Sequence, residues 1–185
     1  MLRMEALTAL EGSVLLWIQD WIRADWLSPF MITITKLGNL GFIWILISLG
    51  LLCFRKTRWA GAAGLLGLIF SLAFNNWFLK NLFERIRPYE VIDGLVLMTK
   101  KASDFSFPSG HAGSSFAAAT AIICSLKGCR WRWLALVLAV LIAFSRLYIG
   151  IHYPSDVICG ALTGALCGAF AAWIVRKVRS RVFRS

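Results

Sequence analysis

The chain has 185 residues, enough for one domain, and 59% of them are hydrophobic with a mean hydropathy of +0.72, which excludes an ordinary soluble domain. Its formal net charge is +11, but eleven of the twenty Lys and Arg fall in Arg55 to Arg58, Lys127 to Arg132 and Arg176 to Arg184, segments without Asp or Glu. Basic residues parcelled into alternate loops follow the positive-inside pattern of a membrane protein; a nucleic-acid partner, which wants them gathered on one soluble face, is disfavoured.

In chain order, residues 1–27 come first, with Leu7, Leu10, Val14, Trp17 and Trp21 at helical spacing and Glu11, Gln19, Asp20 and Arg23 interrupting them. The pattern predicts an amphipathic helix lying in the membrane interface, with Trp17, Trp21 and Trp26 at headgroup depth; a sixth crossing is the alternative. Four apolar stretches follow, at Phe30–Phe54, Trp59–Leu79, Trp131–Ile149 and Val157–Val175. Each is near the roughly 18 to 25 residues that cross a bilayer core of about 30 Å as a helix. A fifth, Ala112–Leu126, reaches a plausible span if its helix starts at Pro108 or Ser109, since proline is well tolerated at a helix start. The expected fold is all-α, a polytopic transmembrane bundle of five or six helices in one domain over 1–185. The five cysteines show no metal-ligand spacing and are read as packing residues. Glu5 and Glu11 stand where a cleavable signal would carry a basic start and an apolar core.

With the basic loops and the C-terminus in the cytoplasm, Lys80, the loop Pro88–Phe107, Ser109, the segment Ser145–Ile149 and Asp156 all fall at the outer, extracytoplasmic face. A loop of that length is often functional. In the last span Asp156, Gly160, Gly164, Gly168 and Ala172 recur every four residues. Such a stripe admits a close helix neighbour and aims Asp156 into the bundle.

Three groups of residues at that face carry chemistry. Lys80 and Arg87 supply a compact cation and a planar guanidinium fork, both suited to phosphate oxygens. Pro108-Ser109-Gly110-His111 reads as a helix N-terminus whose free N–H groups and dipole suit an anion, with Gly110 permitting close backbone approach. Arg146 with His152 and Asp156 sets a carboxylate four residues after an imidazole. A carboxylate accepting the Nδ1 hydrogen leaves Nε2 as a nucleophilic lone pair. Both histidines of the chain lie in these groups.

In their order and spacing, Lys80-x6-Arg87-Pro88, Pro108-Ser109-Gly110-His111 and Ser145-Arg146-x5-His152-x3-Asp156 resemble the three-part signature of the type 2 phosphatidic acid phosphatase superfamily. That superfamily includes bacterial phosphatidylglycerophosphate and undecaprenyl diphosphate phosphatases and the vanadium haloperoxidases. The resemblance implies a metal-independent, cofactor-free membrane lipid phosphatase. His152 would attack phosphorus to form a phosphohistidine, Asp156 would orient it, and His111 would protonate the leaving oxygen and then activate water. Lys80, Arg87, Ser109, the Gly110 N–H and Arg146 would hold the phosphoryl oxygens. The short chain is most similar to the small members acting on undecaprenyl diphosphate, with phosphatidylglycerophosphate or phosphatidate hydrolysis and lipid phosphotransfer as alternatives. Lys100 and Lys101 are candidates for favouring a doubly phosphorylated headgroup. The expected partners are the phosphorylated lipid and surrounding membrane lipids, with no obligate protein partner indicated.

Overall fold

The computed structural model describes residues 2–182, all helical with no strand among the described residues. Helix α1 (Leu2–Trp17) runs into a π-helical turn (Ile18–Ile22). It packs across one end of the bundle. Leu15 joins Leu95 and Tyr153, and Ile18 joins Met31, Tyr148, Ile149 and Ile151. Its other side leaves Leu7, Leu10 and Trp17 exposed, and Trp21 and Trp26 beyond it are exposed as well. This helix is not among those long and apolar enough to cross a membrane.

The stretch expected to form one helix over Phe30–Phe54 is two, α2 (Ser28–Leu37) and α3 (Phe42–Leu52), bent by 54°. The break has a local cause. Leu40 and Gly41 take left-handed backbone angles (φ 52° and 70°), a conformation that stops a right-handed helix. At Gly38 any Cβ would sit 2.7 Å from Cδ2 of His111, so the backbone passes directly over that ring.

Helix α4 (Arg58–Ser71) continues through a π-helical stretch (Leu72–Leu79) into the single turn α5 (Lys80–Phe83). The helix ends before Pro88, at Glu84, which is left-handed (φ 45°) while its N–H still bonds the Lys80 carbonyl. The early turn frees Arg85 to reach under α1. After the loop come α6 (Gly110–Ser125), α7 (Trp133–Tyr148) and α8 (Pro154–Val182).

By length and composition three helices suit a membrane crossing, or four if the bent α2–α3 pair forms one span. The sequence count of five or six includes α6, which is only 16 residues long. Helix α6 is the centre of the bundle, with Ala112, Ala117, Ala118, Ala119 and Ala121 all fully buried. The small-residue stripe of α8 lies on it. A Cβ at Gly160 would meet the Ser109 carbonyl at 2.6 Å, and Cβ atoms at Gly164 and Gly168 would collide with the Gly113 and Ala117 carbonyls. Backbone-to-backbone contact of this kind is how membrane helices gain dispersion energy without a hydrophobic driving force. One turn above Gly160, Asp156 is completely buried. Ala63 of α4, Ala121 of α6 and Ala172 of α8 meet lower down, so the three basic segments gather at the end opposite Asp156.

Candidate active site

At the end capped by α1, a cavity of about 1050 Å³ is lined by Lys80, Arg87, Gly110, His111, Arg146 and His152, six of the eight residues singled out from sequence. Ser109 and Asp156 are the other two, and both stand behind its wall. Ser109 is fully buried as the N-cap of α6, where its hydroxyl accepts from the Ala112 N–H at 3.5 Å and its N–H donates to the Asp156 carbonyl at 3.0 Å. Capping satisfies one of the helix's orphan donors and leaves the hydroxyl hydrogen of Ser109 able to donate.

His152 is 1% exposed and stands between two partners. Its Nε2 lies 3.4 Å from Arg87 Nη1. A guanidinium only donates, so Nε2 carries the lone pair and Nδ1 the hydrogen. Nδ1 faces Asp156 Oδ2 at 3.5 Å and Ser106 Oγ at 3.5 Å. Asp156 is fixed in turn: Oδ2 accepts from Ser106 Oγ at 2.5 Å and from the Tyr153 N–H at 2.9 Å, while Oδ1 accepts from Arg85 Nη1 at 2.7 Å. Burial lowers the His152 imidazole to about 3; the Asp156 hydrogen bond opposes this, and the Arg146 and Arg87 charges add to it. The ring is therefore neutral at ordinary pH, with its Nε2 lone pair turned toward Arg87 and a second guanidinium, Arg146, lining the same cavity. That arrangement can approach an electrophilic centre carrying negative charge.

Arg87 makes five contacts with four residues. Nε donates to the Asp104 carbonyl at 2.8 Å, Nη1 to the Ile151 carbonyl at 3.0 Å, and Nη2 to the Phe105 carbonyl at 3.2 Å and Asp104 Oδ1 at 2.6 Å; His152 Nε2 is the fifth. Lys80 pairs with the other oxygen of Asp104, Oδ2. Burial pushes the Asp104 carboxyl up, but Lys80 and Arg87 overcome that and bring it to about 2. Arg146 donates from Nη1 to Thr35 Oγ1 at 2.6 Å, while its Nε is buried with no hydrogen-bond partner among the described residues. On the far wall His111 Nε2 lies 3.0 Å from Asn39 Oδ1. Asn76, in the π-helical stretch, stands where a Cβ on Gly110 would meet its Oδ1 at 2.7 Å.

Of the two loop lysines, Lys100 lines the cavity, but Lys101 lies over the Tyr89 ring at 5.8 Å and is not part of the lining; Lys36 is. Several contributors escape sequence reasoning: Asp104, Ser106, Asn39, Thr35, and the pair Arg85 and Glu11. Arg85 Nη2 reaches Glu11 Oε2 at 2.6 Å, and Glu11 Oε1 accepts the Ser155 N–H at 2.7 Å. The one available signal was Glu11 itself, an acid inside an apolar helical stretch and buried to 5% exposure.

From this polar end the cavity continues between α3 and α4 along Ile45, Leu65, Leu68, Ile69 and Leu72. The chain is 31% identical to an undecaprenyl-diphosphatase of Sulfolobus acidocaldarius, over 75% of this chain and 66% of that protein. It is 35% identical to phosphatidylglycerophosphatase B of Bacillus subtilis, over 78% of this chain and 73% of that one. The crystal structure of Aquifex aeolicus LpxE superposes with a TM-score of 0.69 at 26% identity, covering 86% of this chain and 92% of that one. Alignments with the Sulfolobus protein and three other curated relatives take in only 47–66% of those proteins' lengths. The profile of the PAP2 superfamily matches residues 62–180, and the chain belongs to that superfamily.

Proposed function

We propose that the protein is a membrane lipid phosphatase that hydrolyses a terminal phosphate or diphosphate headgroup, undecaprenyl diphosphate first among the candidates, through a phosphohistidine on His152 at the extracytoplasmic face. The observation that carries the reading is the placement of the His152 lone pair in a cavity whose polar end holds Lys80, Arg87 and Arg146 and whose other end is a strip of Ile and Leu. An anionic head and an isoprenoid or acyl tail fit the two halves. Likeness to proteins named undecaprenyl-diphosphatase and phosphatidylglycerophosphatase supports the substrate class.

In the first step His152 Nε2 attacks phosphorus as the bond to the leaving oxygen breaks, and His111 gives that oxygen its proton. In the second, water attacks the phosphohistidine, His111 takes back a proton, and inorganic phosphate leaves. Asp156 stabilises the imidazolium that forms, and its own bonds from Ser106, Tyr153 and Arg85 keep it in place. The charge that builds on the phosphoryl oxygens falls to Lys80, Arg87, Arg146 and the Gly110 N–H. Ser109 acts through the helix it caps.

The test has two parts. Phosphate release from prenyl diphosphates, phosphatidylglycerophosphate and phosphatidate in detergent ranks the substrates, with the prenyl diphosphate expected to turn over fastest. Acid hydrolyses the P–N bond of a phosphohistidine, so turnover of labelled substrate is stopped in alkali: label remains on wild type and is absent from His152→Ala, which also loses turnover. Near-normal phosphate release by His152→Ala would refute the mechanism.

A further inference from the structure

The cations read as the phosphate cradle already hold an anion of the protein's own. The two oxygens of Asp104 are divided between Lys80 Nζ and Arg87 Nη2, the way two phosphoryl oxygens would be. Arg87 also contacts His152 Nε2, so the carboxylate sits one guanidinium away from the nucleophilic nitrogen. Lys80 and Arg87 are fixed in the wall, with side chains 8% and 4% exposed, whereas Asp104 is 53% exposed. It lies outside any helix, in the bend that precedes Ser106. The carboxylate can leave; the cations cannot follow. Deeper in the same cavity, the Nε of Arg146 is buried without a hydrogen-bond partner among the described residues.

We propose that Asp104 is a selectivity residue: its carboxylate occupies the cradle of Lys80 and Arg87 as a tethered competitor that a terminal phosphate displaces and a phosphodiester headgroup does not. This rests on the phosphatase reading above. The argument is one of charge and concentration. A tethered group competes at an effective concentration on the order of millimolar or more. A phosphodiester carries one negative charge, as the carboxylate does, so exchanging one for the other gains no Coulomb energy and loses the tether. A terminal phosphate carries about −1.5 to −2 at neutral pH, and a diphosphate more, so the exchange becomes favourable against two fixed cations. The need is specific to a bilayer, where phosphodiester headgroups vastly outnumber any substrate. Without such a competitor, a cradle of Lys80, Arg87 and Arg146 facing the headgroup layer would fill with bulk lipid.

The test uses the purified full chain in dodecyl maltoside micelles with a prenyl diphosphate as substrate and phosphatidylglycerol as the phosphodiester competitor. Wild type and Asp104→Glu, which keeps the charge, resist inhibition. Asp104→Asn is half-inhibited at a phosphatidylglycerol fraction lower by on the order of tenfold. Superimposable inhibition curves for wild type and Asp104→Asn overturn the proposal. If Asp104→Asn does not turn over, thermal stabilisation by short-chain phosphatidylglycerol decides instead: stronger stabilisation than wild type supports the proposal, and equal or weaker stabilisation overturns it. Wild type releasing no phosphate from any of the lipid phosphates would refute the function reading, and the stabilisation comparison would still decide the role of Asp104.

Discussion

At the scale of single residues, the site pairs one imidazole kept neutral with a carboxylate kept ionised. Burial lowers His152 to about 3 from an ordinary 6.5, against the pull of Asp156. The folded ring therefore refuses a proton that the unfolded chain accepts below about 6.5, and stability falls as pH drops from about 6.5 toward 3. In His152→Asn that part of the slope is absent, which thermal melts at pH 7 and pH 5 will show as a smaller difference than in wild type. Asp104 behaves oppositely. Its carboxyl is depressed to about 2 by Lys80 and Arg87 despite burial, so the stabilisation it contributes is present above the ordinary carboxyl value of 3.8 and is lost only as pH falls through about 2. The Asp104 clamp is thus constant from pH 6.5 down to about 3.8, most of the range in which His152 governs the slope. Lys80, Arg87, His111, Arg146, His152 and Asp156 are legible in the sequence because their chemistry attaches to residue type and short spacing. Asp104 and Ser106 are not, because nothing local marks an Asp or Ser in a polar loop as the partner of a residue 24 or 50 positions away.

At the scale of helices, the α6–α8 contact sets the site's geometry, since α6 begins at Gly110 in the cavity wall and α8 begins just before Asp156. Gly164→Ala forces a methyl against the Gly113 carbonyl and is expected to cost about 1–3 kcal/mol, the usual range for overpacking. Gly50→Ala is the control, because no atom lies within 4 Å of its added Cβ. Melting temperatures in detergent compare the two, and a Gly164→Ala protein as stable as Gly50→Ala would contradict the packing account. The stripe at four-residue spacing predicted a close helix neighbour from sequence alone, and the structure identifies it as α6. The α2–α3 break was not predicted, although Gly38, Asn39 and Gly41 interrupt the apolar run locally; its consequence is distant, since Asn39 comes to lie against His111, 72 residues away. The early end of α5 was hidden, since Glu84 is no obvious stop and the turn serves the reach of Arg85 to α1.

At the scale of the whole molecule, the bundle separates a basic end from an end that holds the cavity. The positive-inside pattern is the ground for proposing that the basic end faces the cytoplasm. Cys53 is exposed beside Arg55 at that end. In a variant keeping only this cysteine, a membrane-impermeant maleimide is expected to label it in permeabilised cells and not in intact ones; labelling of intact cells would reverse the orientation and with it the leaflet on which the site works. The exposed apolar side of α1 fits the same picture, with Trp17, Trp21 and Trp26 available to the headgroup layer around the cavity end.

The ion pairs of Arg85 with Glu11 and Asp156 join α1 to the start of α8, and Glu11 accepts the N–H of Ser155, 144 residues further along the chain. The support of the reactive imidazole is therefore supplied jointly by segments that are made far apart in time. A nascent or clipped chain that lacks either one has its cations but not its positioned imidazole. On the proposed function, such a copy would stay inert among the surrounding lipids until both segments are in place.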